Sequence, residues 1–138
     1  MAVSTPKGTA GTVLAYKHMI DDQLWQRLVS RLASDKKITI ALSERIMNET
    51  LGFLGLLAEQ RGVKHTPSPD VDAGWCNFIL HTREYYWFCR SHVGGVIHRE
   101  QYDTIGVDTS DVRSFQQTMR AMNTRGPVDE QLWTHWNF

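Results

Sequence analysis

The sequence predicts an all-α fold, a single-domain bundle of four helices with a short fifth helix at the C-terminus. Three observations carry that prediction. Apolar residues recur at steps of three and four through the patterned stretches, no run alternates for long enough to read as a strand, and cap or breaker residues separate the stretches at helix-like intervals. The 138 residues, 41% of them hydrophobic, suffice for one core without disulfides or a structural metal.

Residues 1–20 read as a flexible tail, because the opening dozen are rich in Thr, Gly, Ala, Ser and Pro and show no period. The helical domain then occupies residues 21–138. Asp21 and Asp22 suit the start of a first helix carrying Leu24, Trp25, Leu28 and Leu32, which ends in the polar cluster Ser34 to Lys37. A second helix begins near Thr39 and places Leu42, Ile46, Thr50, Phe53, Leu54 and Leu57 on one stripe. Gly52 and Gly55 lie on its other side, each costing about 1 kcal/mol relative to Ala. Close approach of a neighbour is the favoured explanation for that cost.

Gly62 stops the second helix and Thr66 to Asp70 forms a proline-stiffened connector. The spacing predicts one long third helix from there to Gly94-Gly95, central and most buried, with Val71, Trp75, Phe78, Ile79, Thr82, Tyr86 and Cys89 as its core stripe. Asp108 or Ser110 can cap a fourth helix bearing Val112, Phe115, Met119 and Met122. After Gly126-Pro127 comes the short last helix, with Val128, Leu132, Trp133 and Trp136.

Fifteen Lys plus Arg balance fifteen Asp plus Glu, so no basic excess exists to bind phosphates over a broad surface and nucleic acid is not an expected partner. The apolar runs fall short of the ~20 residues that span a bilayer, and no basic start precedes an apolar stretch. No membrane association is expected. Cys76 and Cys89 fall too far apart on one helix for a disulfide, which fits reduced thiols and a cytoplasmic location.

Projection of the third helix defines two candidate sites. On one flank lie Asp72, Cys76, Leu80, Arg83, Trp87 and Arg90, and the Gly94-Gly95 turn can fold His98 back over them. Asp72, Cys76 and His98 are suitable ligands for zinc or another divalent metal. The same three can instead form a catalytic group in which a His base activates a Cys nucleophile. Ordinary roles compete with both: Asp72 capping or salt-bridging the first turn, Cys76 packing as a small buried residue, and His98 bonding a loop. On the other flank His81, Tyr85 and His92 offer an acid–base or metal arrangement, against which stands a polar-aromatic helix flank without chemistry. Trp25, Trp75 and Trp133 fall on core faces and read as packing.

The segments ERIMNETLGFLGLLAE and TPSPDVDAGWCNFILHTREYYWFCRSHVGGVIHRE give the chain its resemblance to a family of small actinobacterial proteins described as glycine-rich-domain-containing-protein-like. The resemblance runs from about Leu24 to Trp133. The family pattern has Trp-His where this chain has Trp75-Cys76, and Ile-His-His where it has Ile97-His98-Arg99. If the family's histidines bind a metal, the resemblance implies an altered or abandoned site here. Arg99 is unfavourable beside a metal and favourable beside an anionic substrate.

Three functions follow as expectations. The first is a small bacterial helical enzyme, a tailoring or cyclising catalyst of specialised metabolism, with Cys76, His98 and Asp72 catalytic and Arg99, Arg83 and Trp87 binding a small-molecule substrate. The second is a non-catalytic metal-binding protein using Asp72, Cys76 and His98. The third is an interaction module that docks a protein through the aromatic C-terminus, Trp133, His135, Trp136 and Phe138.

Overall fold

The computed structural model describes residues 14–99 and 109–133. Among them the chain forms five α-helices, α1 (Asp22–Lys36), α2 (Ile40–Glu59), α3 (Pro69–Leu80), α4 (Thr82–Val93) and α5 (Thr109–Arg125), with 3-10 turns at Lys17–Met19 and Glu130–Leu132. The described residues contain no strand. The all-helical bundle is therefore as the sequence predicts, with two differences: the long third helix is broken in two, and a 3-10 turn occupies the start of the expected last helix.

The caps follow from local chemistry. Asp21 accepts from the Leu24 amide at 2.8 Å and Thr39 from the Leu42 amide at 3.1 Å, so α1 and α2 each begin on a side-chain oxygen. Ser68 does the same for Val71 at 3.2 Å, and Pro69 stands in the first turn of α3, where no amide proton is needed. Lys37 turns the chain out of α1 in the left-handed conformation at φ 56°, and Gly94 does so at the end of α4 at φ 84°.

The centre of the bundle is α2 rather than the segment after the prolines. It is buried without interruption from Ile46 to Leu56, and it packs against α1, α3, α4 and α5. Burial thus extends beyond the stripe read from periodicity, to Asn48, Glu49, Gly52 and Gly55. Its glycines admit close neighbours: a Cβ on Gly52 would stand 2.6 Å from the Tyr16 ring, and one on Gly55 would stand 2.5 Å from the Arg125 guanidinium.

Tyr16 belongs to the segment assigned by sequence to the tail. Instead it is buried, its amide donates to Asn48 at 2.8 Å, and Leu14, Ala15, Met19 and Ile20 pack beside it on the core. The packed domain thus starts by Leu14; residues 1–13 lie outside the described residues.

The break at His81 is the larger correction. His81 has φ −90° and ψ 68°, closing α3 and opening α4, while its Nδ1 stands 3.0 Å from the Asn77 carbonyl oxygen. That carbonyl is engaged by a ring nitrogen rather than by the next turn's amide, so the helix stops without Gly or Pro. The bend changes which face of the following segment is buried. Tyr85 and Phe88 turn inward onto Phe78, with ring centroids 5.2 Å and 5.1 Å away, whereas Thr82 and Tyr86, expected on the core stripe, are exposed.

Two polar clusters lock the ends of the bundle. Arg45 grips both oxygens of Asp129 at 2.7 and 3.0 Å, and the Trp133 indole donates to Glu49 at 2.9 Å. On the other side of α2, His65 lies between Thr118 and Gln60 at 2.9 and 2.8 Å, and Thr66 donates to Ser114 at 2.8 Å. These bonds hold the connector before α3 against α5, so that buried hydroxyls are satisfied.

Candidate functional site

α3, α4 and the segment after Gly94 line a cavity of about 580 Å³ that is open to solvent. Ile79 and Leu80 from the end of α3, Tyr85 and Tyr86 from α4, and Val96 and Ile97 form apolar walls. Cys76, Thr82, His98 and Arg99 supply the polar atoms. The volume falls within the range of about 300 to 1,000 Å³ typical of small-molecule sites, as does the mixture of apolar walls and few polar groups.

Local chemistry brings the Val96–Arg99 segment back over the helices. The left-handed Gly94 reverses the chain, with its amide donating to the carbonyls of Cys89 and Arg90 at 3.2 and 3.1 Å. Tyr85 then pins the returning strand of chain: its hydroxyl donates to the Ile97 carbonyl at 2.5 Å and accepts from the Trp75 indole at 2.9 Å. Burial pushes the Tyr85 phenol far up, so it keeps its proton and remains a donor. Each residue of the polar-aromatic flank, His81, Tyr85 and His92, has a partner within the bundle. His81 faces Asn77, Tyr85 anchors the cavity wall, and His92 lies tilted against Phe88 at a centroid distance of 4.4 Å.

Arg99 is the second pin. Its Nε and Nη2 each donate to one carboxylate oxygen of Asp72 at 2.7 Å. Asp72 is 7% exposed, and this bidentate pairing compensates its burial. Of the alternatives open from sequence, the salt-bridging role is the one observed for Asp72, though its partner comes from across the cavity rather than from its own turn.

Cys76 and His98 both line the cavity, Cys76 half-buried and His98 exposed. The thiolate expected at Cys76 is not favoured. Burial, with the Asp72 carboxylate adding to it, pushes the thiol up, and the opposing pull of Arg99 and Lys36 does not offset this. Desolvation, the largest contribution, outweighs the two nearby cations. Cys89 is fully buried, and both thiols are free.

The donor set does not fit a divalent metal such as zinc. Both Asp72 oxygens are committed to Arg99, and among the described residues no three His, Cys, Asp or Glu side chains gather as ligands. The remaining expected site residues stand elsewhere. Arg83 and Trp87 do not line the cavity but lie exposed on α4. Trp133, expected in a docking surface, is 3% exposed and packs between Phe53 and Phe115, with centroids at 6.0 and 6.2 Å. His135, Trp136 and Phe138 lie outside the described residues.

Sequence reasoning missed the apolar walls contributed by Ile79, Tyr85 and Tyr86. The signal was weak, because Ile79 and Tyr86 fit a core stripe and only the bend at His81 turns them to a cavity. No curated protein and no solved structure matches the chain. The model of the UCP032817-like family matches residues 15–135, which is most of the sequence, and the chain belongs to that family.

Proposed function

We propose that the protein binds a small, largely apolar molecule in the cavity between α3, α4 and the Val96–Arg99 segment. The carrying observation is the cavity itself: six apolar side chains wall about 580 Å³, with the Cys76 thiol and the His98 imidazole at its lining. Neither group needs to ionise for this role. A neutral thiol is a weak donor and acceptor, and imidazole can donate or accept, so together they orient one polar end of a ligand whose body lies on Tyr86, Leu80 and Val96.

A catalytic reading rests on the same lining, since Cys76 and His98 face one space. In that reading the protein is a tailoring or cyclising enzyme of bacterial specialised metabolism, in keeping with the likeness to small actinobacterial proteins described as glycine-rich-domain-containing-protein-like and with a cytoplasmic location. A bound substrate would have to draw the thiol proton to His98. Asp72 serves there as the anchor of Arg99, and Arg99 as a clasp holding the segment that carries His98.

The test uses anilinonaphthalene sulfonate, an aromatic probe whose emission rises in apolar sites. Wild-type protein should enhance it with saturable, single-site behaviour, and Val96→Trp, which fills the mouth from an exposed position, should abolish the effect. Equal enhancement by both proteins would place the dye elsewhere and defeat the reading.

A further inference from the structure

The outer face of α4 carries three side chains that neither the core nor the cavity requires, together with Tyr86, which it shares with the cavity wall. Arg83, Trp87 and Arg90 follow at i, i+4 and i+7, with Tyr86 between them, and all four are exposed. Trp87 is 61% and Tyr86 42% exposed. The two rings meet edge-on at 5.3 Å, and the Arg90 guanidinium lies over Tyr86 at 5.8 Å, so the face is organised rather than a set of isolated side chains.

Its charge is one-sided although the chain as a whole is neutral. Among the described residues no carboxylate lies within salt-bridge distance of Arg83 or Arg90. Glu84, the acidic residue of α4, pairs with Arg27 at 3.1 Å and feels Arg83 only through a weaker Coulombic attraction, so the face keeps a net positive charge among the described residues. Trp, Tyr and Arg are also the residue types that dominate binding energy at protein interfaces. Leu80 and Val96, two further exposed apolar residues, continue the surface beyond Tyr86 at the cavity rim.

We propose that this face docks an acidic amphipathic helix of a partner protein. Arg83 and Arg90 stand two turns apart, roughly 10 Å at 1.5 Å per residue. The complementary helix carries carboxylates seven residues apart and apolar side chains between them, which cover Trp87 and Tyr86 while the carboxylates meet the two guanidinium groups. A second copy of this chain is the poorer occupant. A two-fold contact through the same face would set Arg83 and Arg90 among the same cations of the other copy, and among the described residues the nearby acid Glu84 is already paired with Arg27.

Fluorescence anisotropy with two labelled helical peptides tests this. One peptide carries Glu at positions seven apart with Leu at the intervening i+3 and i+4 positions; the other carries Lys in place of Glu. Wild-type protein should bind the Glu peptide at least about tenfold more tightly than the Lys peptide, a preference that shrinks as salt is added. The R83E/R90E double variant should invert the preference, and Trp87→Ala should weaken both interactions. These positions are exposed, and circular dichroism checks that the helices persist. If the double variant loses its helices, the single variants Arg83→Gln and Arg90→Gln should each reduce the preference. Equal binding of the two peptides, or a preference that the charge changes leave intact, would overturn the proposal. Sedimentation showing a concentration-dependent dimer that Trp87→Ala abolishes would also overturn it, in favour of a second copy.

Discussion

Arg99 reaches from the chain that follows α4 to Asp72 in the first turn of α3, and its two parallel 2.7 Å hydrogen bonds fasten one wall of the cavity to the other. The contact joins residues 27 apart in sequence and leaves Asp72 compensated but not free. It explains how Asp72 supports the pocket through Arg99, which lines it, without itself being a ligand or a base.

Removing that clasp should open the cavity. Arg99→Ala leaves a largely buried carboxylate without its partner, a change that costs about 3 kcal/mol or more where such pairs are enclosed. Urea unfolding should report the loss. Iodoacetamide labelling of Cys76 in the folded variant should accelerate, because both burial and the covering segment are relaxed. In wild-type protein Cys76 should label slowly near neutral pH and faster as pH rises, reflecting its raised thiol pKa, while Cys89, fully buried, should label only on unfolding. An Arg99→Ala protein with unchanged stability and unchanged labelling would show that the pairing holds nothing in place.

The glycines of the bundle should divide by what their missing side chains would strike. At Gly74 a methyl group would collide with the Thr50 hydroxyl, which is fixed by bonds to the carbonyls of Ile46 and Val71 at 2.8 and 3.3 Å. Gly74→Ala should therefore destabilise by about 1 to 3 kcal/mol, overcoming the better helix propensity of Ala. Gly55→Ala meets the far end of the Arg125 side chain, held by Glu59 and the Gly52 carbonyl but flexible along its stem, and should cost less than Gly74→Ala. Thermal melts of the two variants, each against wild type, decide this; equal destabilisation would contradict it.

Periodicity made the bundle legible, including the caps at Asp21 and Thr39, the core roles of Trp25, Trp75 and Trp133, and the close neighbours at Gly52 and Gly55. The break at His81 was not legible, because neither glycine nor proline marks it and the apolar repeat continues through it. Downstream of that bend the buried face of α4 was consequently read wrongly in part: Tyr86 and Thr82 moved out, Tyr85 and Phe88 moved in, and Cys89 stayed in the core as expected. The meeting of Cys76, His98 and Arg99 at one place could be anticipated from the Gly94-Gly95 turn. The state of the thiol could not, since burial decides it and burial depends on the completed cavity.

The connector before α3 should make stability sensitive to acid. Burial holds the His65 imidazole below its usual pKa, so the folded state prefers the neutral ring lodged between Thr118 and Gln60. Its contribution is fully present above the unfolded imidazole pKa of about 6.5 and declines as pH falls from there through the lower folded value. His65→Gln should be less stable than wild type at pH 8, and the gap should narrow on acidification through this window. Urea midpoints across that range check it; a constant gap would mean that the ring's charge is irrelevant to the connector.

Glu49 should act with the opposite sign. It is 2% exposed and accepts the Trp133 indole at 2.9 Å, yet burial, the largest influence, holds its carboxyl above the usual range. A folded pKa raised above the unfolded value of about 4.3 gives a contribution fully present below that value and lost as pH rises through the folded one. Trp133→Phe keeps a ring between Phe53 and Phe115 but withdraws the indole donor that eases the charged form. The carboxyl should then be pushed further up, so the variant's deficit should be small at pH 4.5 and grow to about 1 to 3 kcal/mol by pH 8, the cost of a buried acceptor left unsatisfied. Urea unfolding at the two pH values measures the difference directly. A deficit of the same size at both would show that Trp133 holds the end of the chain by packing alone, with the ionisation of Glu49 playing no part.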